Sequence, residues 1–455
     1  MNSITIDDSL LMRDKAEFAE IELVAAHVSG QLELSGSKVT GKLNMNGIRV
    51  DQSILMDNKA EFAEIELVTA HISGQLNLSD SKVTGKLNMS SLKARDLLLN
   101  SAEFREEVAL IAAQVSGQLN LRASKFNGHL NMNQIQVSQS VLMDDKAEFT
   151  DVDFGYARVG GVLSLVGSKV AGLLECSGTE IGGDVFLSRG AEFAGPINFV
   201  FNKIRGSLEL AGGMFQGTVD LTGTQVDGEL RLGSSRHLPA RWSDKSVLIL
   251  RNAGASAIQD LSQAWPHGPA SLDLNGFTYR SLGGIYAAEL DPMVERRVDW
   301  FENEWLSKQG HYAPQPYEQL AFVLYNQGQV EKATAVRYGS REAERQASDG
   351  LRYAWLTILE NVIGYGYRPM KALYWVMLLT AIGTMIFRST PDAKKNDVGW
   401  GVTYSFDMLL PIIQLRRKHY EIDLSGWQRY YFYFHKIVGF MLASFLIAGL
   451  SGLTK

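Results

Sequence analysis

Cysteine is nearly absent from the chain: Cys176 is the only one in 455 residues. A single thiol forms no intrachain disulfide and leaves a cysteine-based zinc site without its ligands, and the scarcity points to a reducing compartment. Lying in the same rhythm as Leu173, Leu174 and Glu175, Cys176 reads as an ordinary buried, inert thiol. A surplus of basic residues is also missing. With 44 Lys and Arg against 50 Asp and Glu, the formal charge is -6, and no basic patch offers to neutralise a run of phosphates, which excludes nucleic acid as a partner. Met1 to Leu11 carries Asp7 and Asp8 in place of a basic start and an apolar run, so no secretory signal is expected and the body is expected to stay in the cytoplasm.

Catalytic signatures are equally scarce. No His-Glu-x-x-His helix, Gly-x-Ser-x-Gly elbow or phosphate-binding Gly-rich loop occurs, which removes the usual routes to a zinc hydrolase, a serine hydrolase or an NTPase. Gly364-x-Gly366 lacks the third glycine of a dinucleotide loop and runs into Arg368-Pro369, so it reads as a helix break. The eight histidines are scattered; His27 and His71 occupy equivalent positions, but the next equivalent is Gln114. No catalytic residue, metal site or cofactor is expected, and the chain reads as a non-enzyme.

What is abundant is repetition. Ala-Glu-Phe recurs at 16–18, 60–62, 102–104, 147–149 and 191–193, a spacing of roughly 44 residues, and a repeat of that length signals a stacked architecture. Gly30, Gly74, Gly117, Gly161 and Gly206 each precede a short alternating run, and Gly41, Gly85, Gly128, Gly172 and Gly217 follow eleven residues later. Leu23, Leu32, Leu43, Leu55 and Leu67 lie 9 to 12 residues apart, too close for helices. The period-two pattern of Leu43-Asn44-Met45 predicts short strands with one face inward. Such strands bury an apolar face only by stacking, so residues 1–283 are expected to form a parallel β-solenoid, with a glycine giving each corner its backbone freedom. Spacing alone leaves open whether a coil takes two segments of eleven residues or three. The polar positions Lys42, Asn44, Gln75 and Asn77 read as an ordinary solvated strand face, although a uniform extended surface suits a long or repeated partner, protein or polymer.

The rhythm turns helical from about Asp291, and residues 284–350 are expected to be a helical neck that caps the last strands, with a hairpin formed by 319–325 and 330–346. Residues 351–455 are expected to hold two membrane spans near 370–388 and 434–453, with Trp375, Tyr430, Tyr431 and Tyr433 as aromatic anchors at the bilayer surface and Gly439 allowing close helix approach. Val402 to Leu415 is too short to cross and too apolar for a free loop, so Asp407 within it is either a membrane-path residue or an interface residue near Arg416, Arg417 and Lys418. Those basic residues, with Lys394 and Lys395, favour a cytoplasmic loop and conflict with a cytoplasmic solenoid; the expectation retained here keeps the solenoid and both termini inside.

Pro314-Gln315-Pro316-Tyr317-Glu318-Gln319-Leu320, Gly364-Tyr365-Gly366-Tyr367-Arg368-Pro369 and Tyr404-Ser405-Phe406-Asp407-Met408-Leu409-Leu410-Pro411 resemble segments of a group of bacterial β-solenoid membrane proteins often labelled membrane-associated oxidoreductases, with a pentapeptide-repeat-like body and two C-terminal transmembrane helices. The resemblance runs from Ser271 to the end, while the repeats match in style only. It implies a bacterial inner-membrane protein and carries over no catalytic residue. Three functions are expected to compete: a membrane-anchored scaffold or sensor first, an oligomeric membrane-perturbing or pore-forming effector acting under stress or phage attack second, and an oxidoreductase, for which a bound cofactor would be needed, third.

Overall fold

A computed structural model describes residues 4–234, 238–283, 298–395, 401–410 and 414–450. The chain divides into two compact units, 1–329 and 330–455. The first unit is a parallel β-solenoid of about twelve coils. Thr5 pairs with His27, His27 with Arg49 and Arg49 with His71, so one coil takes 22 residues. Each coil holds two segments of eleven, one in each of two parallel sheets. The 44-residue spacing of the sequence is therefore two coils.

Physical reasons for the doubled period are visible in the columns that run along the solenoid. In the second sheet Glu17, Lys38, Glu61, Lys82, Glu103 and Lys125 stack in register, coil upon coil. Acid and base alternate, and the pairs Lys38–Glu61, Lys82–Glu103 and Lys125–Glu148 each close at 3.1 Å, with Lys169–Glu192 at 3.0 Å. Like charges opposite one another would repel at the strand spacing of about 4.8 Å.

The glycine markers follow the same alternation for a different reason from the expected one. Gly30, Gly74, Gly117 and Gly161 do not sit at positive φ; they are needed because the preceding coil leaves no room for a Cβ. Ser53 Oγ would lie 2.5 Å from a Cβ at Gly74, and Ser140 Oγ 2.6 Å from one at Gly161. Those side chains bridge the corner by accepting the N–H of the residue after the glycine: Ser9 from Gln31 at 3.1 Å, Ser53 from Gln75 at 3.2 Å, Asp96 from Gln118 at 3.0 Å. Gly85 is similarly confined, 2.5 Å from the Ala63 carbonyl oxygen. Left-handed corners are taken instead by residues such as Asn58 and Gly47.

The core is a stack of leucines, valines and methionines with a spine of rings. Phe104, Phe126 and Phe149 stack at 4.6 and 5.2 Å, and Phe193, Phe215 and Trp242 at 5.5 and 4.8 Å. Trp265 and Trp305 close the far end at 5.3 Å. There α1 (Pro314–Asn326) covers the last coil. The helix starts on Pro314 itself, whose missing N–H is no loss at a first turn. Its glutamines satisfy the backbone edge: Gln315, Gln319 and Gln327 donate to the carbonyls of Phe277, Tyr279 and Leu282 at 3.2, 2.7 and 2.9 Å. An uncovered parallel edge would invite further strands. The expected onset of the neck, 284–297, lies outside the described residues.

The second unit comprises α2 (Val330–Gln346), α3 (Gly350–Ile363), α4 (Lys371–Arg388), α5 (Val402–Leu409) and α6 (Trp427–Leu450). Helices Lys371–Arg388 and Trp427–Ile447 are long and apolar enough to cross a membrane. The second begins well before the expected 434, because the aromatic run Tyr430 to Tyr433 continues the helix; 451–455 lie outside the described residues. Both helices keep large apolar side chains exposed, among them Met377, Leu378 and Met385 on α4 and Phe434, Ile437 and Phe440 on α6.

Candidate functional site

Two regions concentrate polar chemistry. On the solenoid, three of the positions that sequence marks as a candidate surface, Lys42, Asn44 and Asn77, bond within their own coil or to a neighbouring one. Asn44 and Asn77 turn their carboxamide oxygens to the N–H two residues on, at 3.3 and 3.0 Å, the local turn that asparagine favours. Asn77 also donates to Asp57 at 2.7 Å, and Lys42 pairs with Glu64 at 3.0 Å. In the first sheet His27 contacts Asp51 at 2.9 Å; the hydrogen bonds from His27 and Arg49 hold that carboxyl below its ordinary range. Cys176 is fully buried, and burial, with the Glu175 and Asp153 charges behind it, pushes the thiol well above its usual value.

The second region is buried in unit two. Asp407, on α5, has 0 % of its surface exposed. A carboxylate removed from water needs several donors, and three are present: the backbone N–H of Leu415 at 2.6 Å, that of Arg416 at 3.0 Å and His419 Nδ1 at 2.7 Å. The carboxylate thereby fixes the Nδ1–H tautomer of His419 and ties the returning chain to α5, while Tyr420 donates to the Asp407 carbonyl at 3.0 Å. Buried His419 keeps Nε2 without a hydrogen-bond partner. Its ring meets the edge of Tyr404, which stacks on Phe387 at 3.9 Å. On the other side of α5, buried His435 lies 3.3 Å from Ser405 Oγ and 3.2 Å from the Ser405 carbonyl, with Tyr431 at 3.2 Å from its Nδ1. Small residues permit this packing: a Cβ at Gly439 would lie 2.5 Å from the Leu409 carbonyl carbon.

The structure thus joins Asp407 to the Arg416 backbone and directly to the His419 side chain, while Ser405, on the same helix, meets His435 separately. Of the expected aromatic anchors, Tyr430 and Tyr433 are exposed, Tyr431 faces His435, and Trp375 donates to the Asn361 carbonyl at 3.0 Å. Sequence reasoning passed over His419 and His435. The one signal available was an ionisable residue inside an apolar stretch, which is costly unless paired. Among the described residues no group of three or more His, Cys, Asp or Glu side chains could hold a metal ion. Compared with protein-family models, with curated proteins and with solved structures, the chain gives no match.

Proposed function

We propose that the chain is a membrane-anchored scaffold: α4 and α6 cross a bilayer as a hairpin, and the solenoid presents a repeated surface to a protein or polymer partner. The observation that carries this reading is the contrast between the two units. The described solenoid buries its leucine, valine and phenylalanine columns and exposes only scattered apolar side chains such as Tyr156 and Phe201, whereas α4 and α6 each expose a run of large ones, a face that lipid covers at no cost. With a single buried thiol, a cytoplasmic position for the solenoid and both termini suits the chain. Gentle extraction from native membranes, followed by crosslinking and mass spectrometry, tests the scaffold. A recurrent partner crosslinked to residues 4–283 is expected; a protein that extracts without detergent, or crosslinks to nothing through the solenoid, defeats the reading.

A second reading rests on the buried ionisable cluster. Asp407, His419 and His435 lie on or between the two apolar helices, where such groups often mark ion or proton paths. An oligomer of hairpins would then perturb or conduct across the membrane. Dye release or proton flux from vesicles carrying the purified chain decides it: sealed vesicles in every oligomeric state exclude the effector.

A further inference from the structure

The Gly364-Tyr365-Gly366 turn between α3 and α4 is built against backbone preference. All three residues are left-handed, with φ of 56°, 58° and 91°. Two are glycines, which adopt this freely, but Tyr365 pays a steric penalty that a third glycine would avoid. A turn alone gives no reason for an aromatic side chain there. The conformation directs the Tyr365 side chain back onto α2, where its hydroxyl donates to Glu342 at 3.0 Å and its ring meets that of Tyr338 at 5.5 Å. In that position Tyr365 lines a cleft of about 340 Å³ between α2 and α3.

The cleft has two chemically distinct walls. One is polar: Arg341 and Arg352 both bond Glu344, Arg341 at 2.8 Å. Glu344 is buried, yet the hydrogen bonds from Arg352 and Arg341 outweigh burial and hold its carboxyl below the ordinary range, so it stays an anion that orients the guanidiniums. The Arg352 side chain remains 70 % exposed, although its Nη2 bonds Glu344. The other wall is apolar, formed by Trp355, Leu356 and Leu359. Outside it, Leu351, Trp355 and Ile358 are exposed at 91, 58 and 53 % and fall at i, i+4 and i+7, one stripe along α3. Trp375 of α4 donates to the Asn361 carbonyl near the end of α3, and beyond it lie the exposed Tyr374, Met377 and Leu378 of the apolar helix.

A guanidinium fork beside a tryptophan and an aliphatic wall, contiguous with a membrane-crossing face, matches one ligand chemistry: a phosphate joined to acyl chains. We propose that the cleft between α2 and α3 binds the phosphate of an anionic membrane phospholipid, with α3 lying along the bilayer surface. The proposal rests on the membrane-anchor reading. Arg352 grips the phosphate, Tyr365 closes the back of the cleft, and the acyl chains run along Trp355 and Ile358.

The full chain is reconstituted in nanodiscs of phosphatidylcholine containing a minority of phosphatidylglycerol, then released and weighed by native mass spectrometry with its retained lipids. The wild type is expected to keep phosphatidylglycerol selectively, and Arg352→Gln to weaken that retention about tenfold, the loss of one charge-assisted contact. Arg352→Lys, which preserves the charge and the bond to Glu344, should recover part of it, and this separates loss of the site from loss of the fold. Equal retention by wild type and Arg352→Gln in intact nanodiscs overturns the lipid site and leaves the anchor standing. Displacement of the lipid by inorganic phosphate alone at comparable concentration also overturns it, as a phosphate site indifferent to membranes. Failure of the wild type to enter nanodiscs removes the anchor and the site together.

Discussion

Replacing Lys82 with Glu would place three acids in consecutive coils, since Lys82 is in register with Glu61 on one side and Glu103 on the other. The native pair with Glu103 closes at 3.1 Å between side chains that are each about one-third exposed. Two unit charges about 4.8 Å apart interact by about 0.9 kcal/mol in bulk water, and measured exposed pairs are worth about 0.2–1 kcal/mol. The substitution removes attraction to one or two neighbours and adds repulsion of similar size, for a total of about 1–2 kcal/mol at low ionic strength. Lys82→Gln removes only the attraction and should cost about half as much. Both penalties should shrink in about 1 M salt, where the Debye length is about 3 Å. Glu103 reports the same event: the bonds from Arg105 and Lys82 hold its carboxyl below the ordinary range, and the substitution should raise it. Hydrogen exchange of backbone amides across 61–104, followed by mass spectrometry at low and high salt, measures the local loss. Equal exchange in Lys82→Glu and Lys82→Gln, or a difference indifferent to salt, would refute charge alternation as the origin of the two-coil period.

Phe126→Ala removes a buried ring stacked on both Phe104 and Phe149 and should destabilise the solenoid by about 3–5 kcal/mol; exchange should accelerate in the adjoining coils and fade with distance, because coils touch only their neighbours. Gly439→Ala forces α6 away from the Leu409 carbonyl, an overpacking of about 1–3 kcal/mol that should lower the melting temperature in detergent; an unchanged melt would show that the two helices do not meet so closely. Glu342 and Glu344 both titrate below their ordinary 4.5, Glu342 chiefly through Arg345. Their contribution is therefore complete above the unfolded value and is lost as the pH falls through the lowered folded value, so α2 and α3 should loosen progressively as the pH is taken down from the ordinary 4.5, read by limited proteolysis, while a flat acid profile would remove these carboxylates from the account.

Much of the solenoid was legible because its core obeys a short rule. Leu32, Leu43 and Ile54 recur every eleven residues and all are buried, and periodicity reads such positions directly. Coil length was hidden by the outward residues: Glu61 and Lys82 look unlike one another, so comparison of segments finds the two-coil period first. The glycines were recognised but given the wrong cause, since a missing Cβ serves a crowded contact as well as a strained φ, and sequence does not separate the two. In the second unit the apolar helices announced themselves by length. The Asp407–His419 pair did not, because twelve residues and a reversal of the chain separate the partners. Tyr365 was likewise invisible as a lining residue; a Gly-x-Gly break states that the chain turns and says nothing of where the middle side chain goes.

The Glu–Lys ladder also constrains how such a chain can change its length. Duplicating one coil of 22 residues would set an acid on an acid or a base on a base at the seam. Duplicating two coils keeps the Glu–Lys column alternating and returns each corner acceptor, such as Ser53 or Asp96, to its glycine. The body can thus gain or lose reach in steps of two coils with little penalty, whereas a step of one coil leaves a like-charged seam in that column, at about the 1–2 kcal/mol worked out for Lys82→Glu.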